Sequence, residues 1–320
     1  MIPVLIDCDP GIDDTLALIY LAALHHLGEI ELVGVTTTAG NTTATQAAGN
    51  ARWVLAQLLI DAPVLPGRPR PRHVELTTTP ETHGPTGLGY LEVPEAPETP
   101  GGDWAEVWRG AVDKHADLRL IVTGPLSNLA AFQQTHPEHY ARLGNITVMG
   151  GAVNYRGNTT PTAEWNFWVD PHAAAEVFED PPAASIRLCS LEVTEQFLID
   201  PARLGALVDS LGATPVAGYL ADILRFYFEF HRAQGEGYQA QIHDLLTCMI
   251  ALGTIPYEDV STTIAVEADS PLLRGTSVAD LRGHWDRPHN ARLVTSADVE
   301  AAHSELARAA GALAVLWAIR

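Results

Sequence analysis

The stretch Val4-Leu-Ile-Asp-Cys-Asp-Pro-Gly-Ile-Asp-Asp-Thr15 decides how this chain is read. An apolar run meets a Pro-Gly turn and a helically periodic stretch follows at once, so a strand ends here and a helix begins. Asp7, Asp9, Asp13 and Asp14 crowd four carboxylates onto that junction. Like charges so close raise one another's pKa unless something positive arrives, and no Lys or Arg precedes Arg52. A hard divalent cation bound through oxygen is the simplest resolution. Capping of the helix N-terminus accounts for one carboxylate, not four. Alternation places Asp7 and Asp9 on the same side of an extended chain. An EF-hand loop is excluded, because its glycine offset is wrong and Leu18 stands where its terminal Glu belongs.

Outward from this junction, strand-like and helix-like stretches alternate. Residues 4–6 read as a strand and 14–27 as a helix, with Leu16, Ile19, Tyr20, Ala23, Leu24 and Leu27 as its apolar stripe. Strands are expected at 31–36, 64–65, 118–122, 146–149 and 185–189, and helices at 43–59, 104–115, 128–134 and 171–178. This rhythm predicts an α/β fold, a mostly parallel central sheet with helices on both faces, in one domain over residues 1–320. Ligands of such sheets bind beyond the carboxyl ends of the strands, where the aspartates lie. Two segments break the rhythm. Residues 67–102, rich in Pro, Thr and Gly, are expected to form a loop that acts as a lid, and residues 215–253 are mostly helical. Strand pieces at 262–266 and 292–294 precede a helix from Asp298.

The 320 residues are 47% hydrophobic and 18% charged, an ordinary globular composition. A formal net charge of −20 argues against a nucleic-acid surface and against anionic membranes. No apolar run reaches transmembrane length. The chain enters its first strand directly, so no secretory signal and a cytoplasmic location are expected. Cys8, Cys189 and Cys248 sit in apolar surroundings without a CxxC pattern and are expected to be buried thiols.

Asp7-Cys-Asp-Pro-Gly-Ile-Asp-Asp14 resembles the N-terminal fingerprint of the nucleoside hydrolases, the inosine–uridine preferring N-ribohydrolases. Further stretches agree in order and spacing: Thr36-Thr-Thr-Ala-Gly-Asn41, Val122-Thr-Gly-Pro-Leu-Ser-Asn128, Val148-Met-Gly-Gly151, Gly157-Asn158, Ala163-Glu-Trp-Asn166 and Ile242-His-Asp244. The resemblance implies the nucleoside hydrolase fold, a ribonucleoside substrate and hydrolysis of the N-glycosidic bond. It implies a calcium ion held by Asp9, Asp14, Asp244 and the Thr123 main-chain carbonyl, an all-oxygen set suited to that ion. Asp9 is then the residue that takes a proton from water, Asp13 binds a ribose hydroxyl and Asp7 steadies the ligands from behind. Asn41, Asn158, Glu164 and Asn166 are expected to meet the sugar; if extended, Glu164 and Asn166 share a face with Trp165 turned away.

His243 is the expected proton donor to the departing base. His83 matches a pocket histidine carried by the long loop, and His231 stands where some relatives place a base-contacting Tyr or Gln. Trp165, Trp168, Phe226, Tyr227 and Phe228 are candidates to stack on a base, although such spacing more often marks core. Retention of His243 favours the inosine–uridine or pyrimidine groups over the purine-specific one. With no P-loop and no Lys or Arg expected in the pocket, a free nucleoside fits better than a nucleotide. Relatives of this kind are homodimers or homotetramers.

Two rival readings are weighed. A haloacid-dehalogenase-type phosphatase also opens on Asp-x-Asp but needs a lysine beside the phosphate, and Lys114, the only lysine, lies on the 104–115 helix. A non-catalytic nucleoside-binding protein would have no need of both Asp9 and His243.

Overall fold

The computed structural model describes residues 1–93, 102–182 and 186–319. Its centre is an eight-stranded sheet. Strands β1 (Ile2–Cys8), β2 (Ile30–Thr37), β3 (Val64–Pro66), β4 (Arg119–Val122), β5 (Asn145–Met149) and β6 (Ile186–Cys189) are mutually parallel, in the order β3-β2-β1-β4-β5-β6. Ala291–Ala297 extends the sheet parallel to β6, and Tyr257–Thr262 closes that edge antiparallel. The first three strands step outward one way and the next three the other. The chain therefore reverses between β1 and β4, which pair in register Asp7 to Val122. A crevice opens at such a switch point, beyond the strand ends.

As an interior strand, β1 is covered on both faces, so its apolar run is continuous rather than alternating. Val4, Ile6 and Cys8 join one core layer with α1 (Ile12–His26), α2 (Ala44–Gln57) and the helices Leu220–Ala233, His243–Leu252 and Val299–Ala318. Leu5 points the other way, into a layer built on Trp108, Phe132 and Phe178 from the helices Trp104–Lys114, Ser127–Thr135 and Pro171–Glu179. Helices thus lie on both faces, as the sequence predicts. α1 is buried nearly all round because it packs against both His243–Leu252 and Val299–Ala318. That packing carries residues from the end of the chain to the aspartates at its start.

Some expectations need correction. The single strand expected at 262–266 is two: Tyr257–Thr262 in the main sheet, and Ile264–Val266 paired with Ser277–Ala279 in a small antiparallel sheet. The break falls at Thr263, whose hydroxyl donates to the Pro288 carbonyl, while the Ile264 N–H goes to the Asn290 side chain. Asn166 is not extended, because it lies in the short helix Trp165–Val169, whose N-cap Glu164 alone keeps an extended backbone. Pro201–Leu211 is a helix that the alternation did not announce. The loop expected at 67–102 contains the helix Pro80–His83; its residues 94–101, like Ser185 at the expected start of β6, lie outside the described residues. The three cysteines are buried and unpaired. Among the described residues no helix is long and apolar enough to cross a membrane.

Candidate active site

A cavity of about 470 Å³ opens above the β1–β4 switch point. Its floor is acidic. The turn after β1 buries Asp9 completely, and α1 presents Asp13 and Asp14 in its first turn. Asp244 arrives in the first turn of His243–Leu252. One carboxylate oxygen from each of Asp13, Asp14 and Asp244 lies within 4.8 Å of the others. Two helix N-termini meet here, and their positive ends favour anions.

That favour does not offset burial. Desolvation pushes the Asp14 carboxyl up to about 7, with the charge of Asp13 adding to it. Burial drives Asp9 and Asp244 well above the carboxylate range, again with neighbouring aspartates adding to the rise. Asp9 accepts from the Asn41 N–H through Oδ2 at 2.7 Å, whereas its Oδ1 is buried with no hydrogen-bond partner. Two glycines make room for this carboxylate. A Cβ at Gly40 would stand 2.1 Å from Oδ2, and one at Gly124 would stand 2.9 Å from Oδ1. Asp14 is held by the Gly11 N–H at 3.0 Å and the Thr123 hydroxyl at 2.9 Å. The Thr123 carbonyl accepts from Asn166 Nδ2 at 2.8 Å and keeps a second lone pair. Asp7 sits outside the cavity lining and is pinned by the Thr36 hydroxyl at 2.6 Å and Asn128 Nδ2 at 2.7 Å. Clustered, buried and partly unpartnered acidic oxygens are the donor set a hard cation requires.

The side of the cavity is built from the β5-to-helix connection. Glu164 caps Trp165–Val169, accepting from the Asn166 and Phe167 N–H groups and from Gly151 N–H. Burial nevertheless holds its carboxyl up, at about 7. Asn158 fixes the same turn by accepting from the Trp165 N–H at 3.0 Å. Asn41, Asn158, Glu164 and Asn166 all face the cavity.

Three histidines complete the wall. His83 is buried, and its Nδ1 accepts from the Ile12 N–H at 3.1 Å, so it is anchored to the start of α1 rather than solvated on a loop. The His243 Nδ1 pairs with the Thr194 hydroxyl at 2.9 Å, which leaves Nε2 for a ligand. Burial, helped by His231 and His83, pushes His243 down to about 3. His231 lines the cavity from Leu220–Ala233, next to the ring of Tyr227 at 4.5 Å.

Every site residue expected from sequence therefore lies at this crevice, with Asp9 and Asp14 beneath its floor. Of the aromatics, Trp165 and Tyr227 line the cavity; Phe228 is core, Phe226 packs against the core and Trp168 stacks behind Trp165. One expectation fails outright: Arg156 faces the cavity, although no cation was expected there. Its charge is matched by Glu195 at 2.9 Å and Glu236 at 3.1 Å. Thr79, Thr82, Phe230, Gln234 and Gln241 also line it and carried no local signal, except that Gln241 nearly adjoins the His-Asp pair.

The family described as inosine-uridine preferring nucleoside hydrolase matches residues 4–304. The pyrimidine-specific ribonucleoside hydrolase RihA of Shewanella sp. (strain ANA-3) is 35% identical over 303 residues, 92% of each chain. Its counterpart of the same name in Salmonella paratyphi C (strain RKS4594) is 31% identical over 93% of this chain and 94% of its own. Among solved structures, the purine-preferring ribonucleoside hydrolase from Gardnerella vaginalis superposes with a TM-score of 0.87 at 26% identity, covering 98% of this chain and 99% of its own.

Proposed function

Because this chain belongs to the inosine-uridine preferring nucleoside hydrolases, it is a ribonucleoside hydrolase, and we propose that it cleaves free pyrimidine ribonucleosides to ribose and base in a calcium-dependent reaction. The observation that carries the reading is the buried acidic floor with an orphaned Asp9 oxygen, in the same crevice as His243. Asp9, Asp14, Asp244 and the Thr123 carbonyl would hold the ion, with Asp13 at the same oxygen cluster. When bound, calcium supplies the missing countercharge and acidifies water.

The residues then divide the work. Asp9 Oδ1 accepts the proton of the attacking water, and Asp13 and Asn41 orient the ribose hydroxyls. Glu164, Asn158 and Asn166 meet the rest of the sugar, and His83, already fixed in the wall, lines the same pocket. His243 holds or passes a proton at Nε2 to the departing base; ionised carboxylates nearby favour its protonated ring against the burial that lowers it. Arg156 is already paired with two carboxylates, so it offers no free charge to a phosphate, and a nucleoside remains the better fit. Pyrimidine preference follows the names of the relatives at 31–35% identity.

Incubation with uridine, cytidine and inosine, assayed for free ribose, tests the reading. Ribose is expected, fastest from the pyrimidine nucleosides. Saturable binding without ribose would favour a binding protein, and magnesium-dependent release of phosphate from simple esters would favour a phosphatase.

A further inference from the structure

One atom in the cavity wall has nothing to do in the structure as it stands. His231 Nε2 is buried and has no hydrogen-bond partner. The other ring nitrogen is tightly specified. His231 Nδ1 lies 2.8 Å from Glu236 Oε2, which also accepts from Gln241 Nε2 at 3.3 Å. The second oxygen of Glu236 accepts from Arg156 Nη2 at 3.1 Å, and Arg156 is fixed in turn by Glu195, itself held by the Tyr155 hydroxyl. A carboxylate that receives an arginine and an amide is an acceptor on both oxygens. Nδ1 must then be the donor. Burial holds the ring below its ordinary pKa, against the pull of Glu236, so the ring stays neutral and Nε2 carries a lone pair.

His231, Glu236, Arg156 and Gln241 all line the same cavity, so a base seated there is the nearest partner that lone pair could gain. An apolar base edge, or one presenting only acceptors, would leave it buried and unsatisfied. We propose that Arg156 and Glu236 are positioning residues that lock His231 as a hydrogen-bond acceptor, and that His231 thereby selects nucleobases with an N–H donor on their pairing edge. Uracil N3–H and the cytosine 4-amino group qualify. The proposal deepens the hydrolase reading above and rests on it. A site built to accept an N–H rejects the analogue that lacks it, because the acceptor is then stranded in a dry pocket.

The test compares kcat/KM for uridine and for 3-methyluridine, in which the donor is blocked, with p-nitrophenyl riboside reporting whether the reaction itself runs. The native protein is expected to favour uridine by about 10- to 100-fold. His231→Leu should bring that ratio close to one, and Glu236→Leu should shrink it by releasing the tautomer. His231→Gln, whose amide oxygen can still accept, should retain much of it. A purely steric role for the ring predicts that the Gln and Leu variants behave alike, and that result overturns the proposal. So does a ratio near one in the native protein while p-nitrophenyl riboside is cleaved, which leaves the hydrolase reading standing. No ribose from any of the three substrates overturns both.

Discussion

Asp9 has room for its carboxylate only because two of its neighbours lack side chains. Gly40→Ala would force a methyl to within 2.1 Å of Oδ2, so the carboxylate or the Asn41 turn must shift. A displacement of about 1 Å at a reacting group costs roughly 10²-fold. The expected outcome is a fall of that order in kcat/KM for uridine, with weakened calcium binding by calorimetry; native values for both would show that Asp9 is not at the reacting centre. For His243→Ala the expected loss on uridine is about 10²–10⁴-fold, with p-nitrophenyl riboside, whose leaving group departs unprotonated, largely spared. Equal losses on both would remove the proton-donor role. At this scale the sequence is informative where residues are neighbours along the chain, as Asp7 through Asp14 are. Arg156 and Glu236 are 80 residues apart and meet only through folding, so neither the pairing nor the cation it brings to the cavity can be read from local pattern.

Helix ends do much of the positioning. Asp170 caps Pro171–Glu179 through the Ala173 N–H and, fully buried, also receives the Ser127 hydroxyl at 2.6 Å and the Arg72 N–H at 2.9 Å. It thus ties the loop after β3 and the helix after β4 to the segment that carries Glu164. Asp170→Ala should cost about 2 kcal/mol, a cap plus stranded donors, read as a lowered midpoint in urea. An unchanged midpoint would show that these bonds are replaced by water at no cost. The long periodic elements were legible: α1, α2 and the parallel strands fall within a few residues of expectation. Trp165–Val169 was not, because five residues hold too little periodicity to separate a helical turn from an extended segment. Its helical state is set by the Glu164 cap, a contact the alternation argument could not weigh.

At the scale of the molecule, the sheet collects acidic groups from positions 9 to 244 and buries them without, among the described residues, a cation at the floor. Asp7, Asp14 and Glu164 are held at about 7 by burial, against about 4 for an exposed carboxyl. The folded state therefore binds protons that the unfolded chain has already released. In the metal-free protein this contribution to stability is full below about pH 4 and is lost as the pH rises towards 7. Thermal unfolding in EDTA should show that decline, and calcium should raise the midpoint more at pH 7.5 than at pH 4.5. A calcium effect independent of pH would detach the ion from these carboxylates. That the site lies beyond the carboxyl ends of the strands was foreseeable from the alternation of elements; the composition of its wall was not, since it joins the helix Leu220–Ala233 to connections around Arg156 and Glu236 that alternation does not constrain. The most direct test of the acidic floor as the seat of a metal-dependent reaction is ribose release from uridine, before and after exhaustive chelation. Turnover should vanish with the ion and return on adding calcium, whereas ribose release at full rate in the chelated protein would contradict the account.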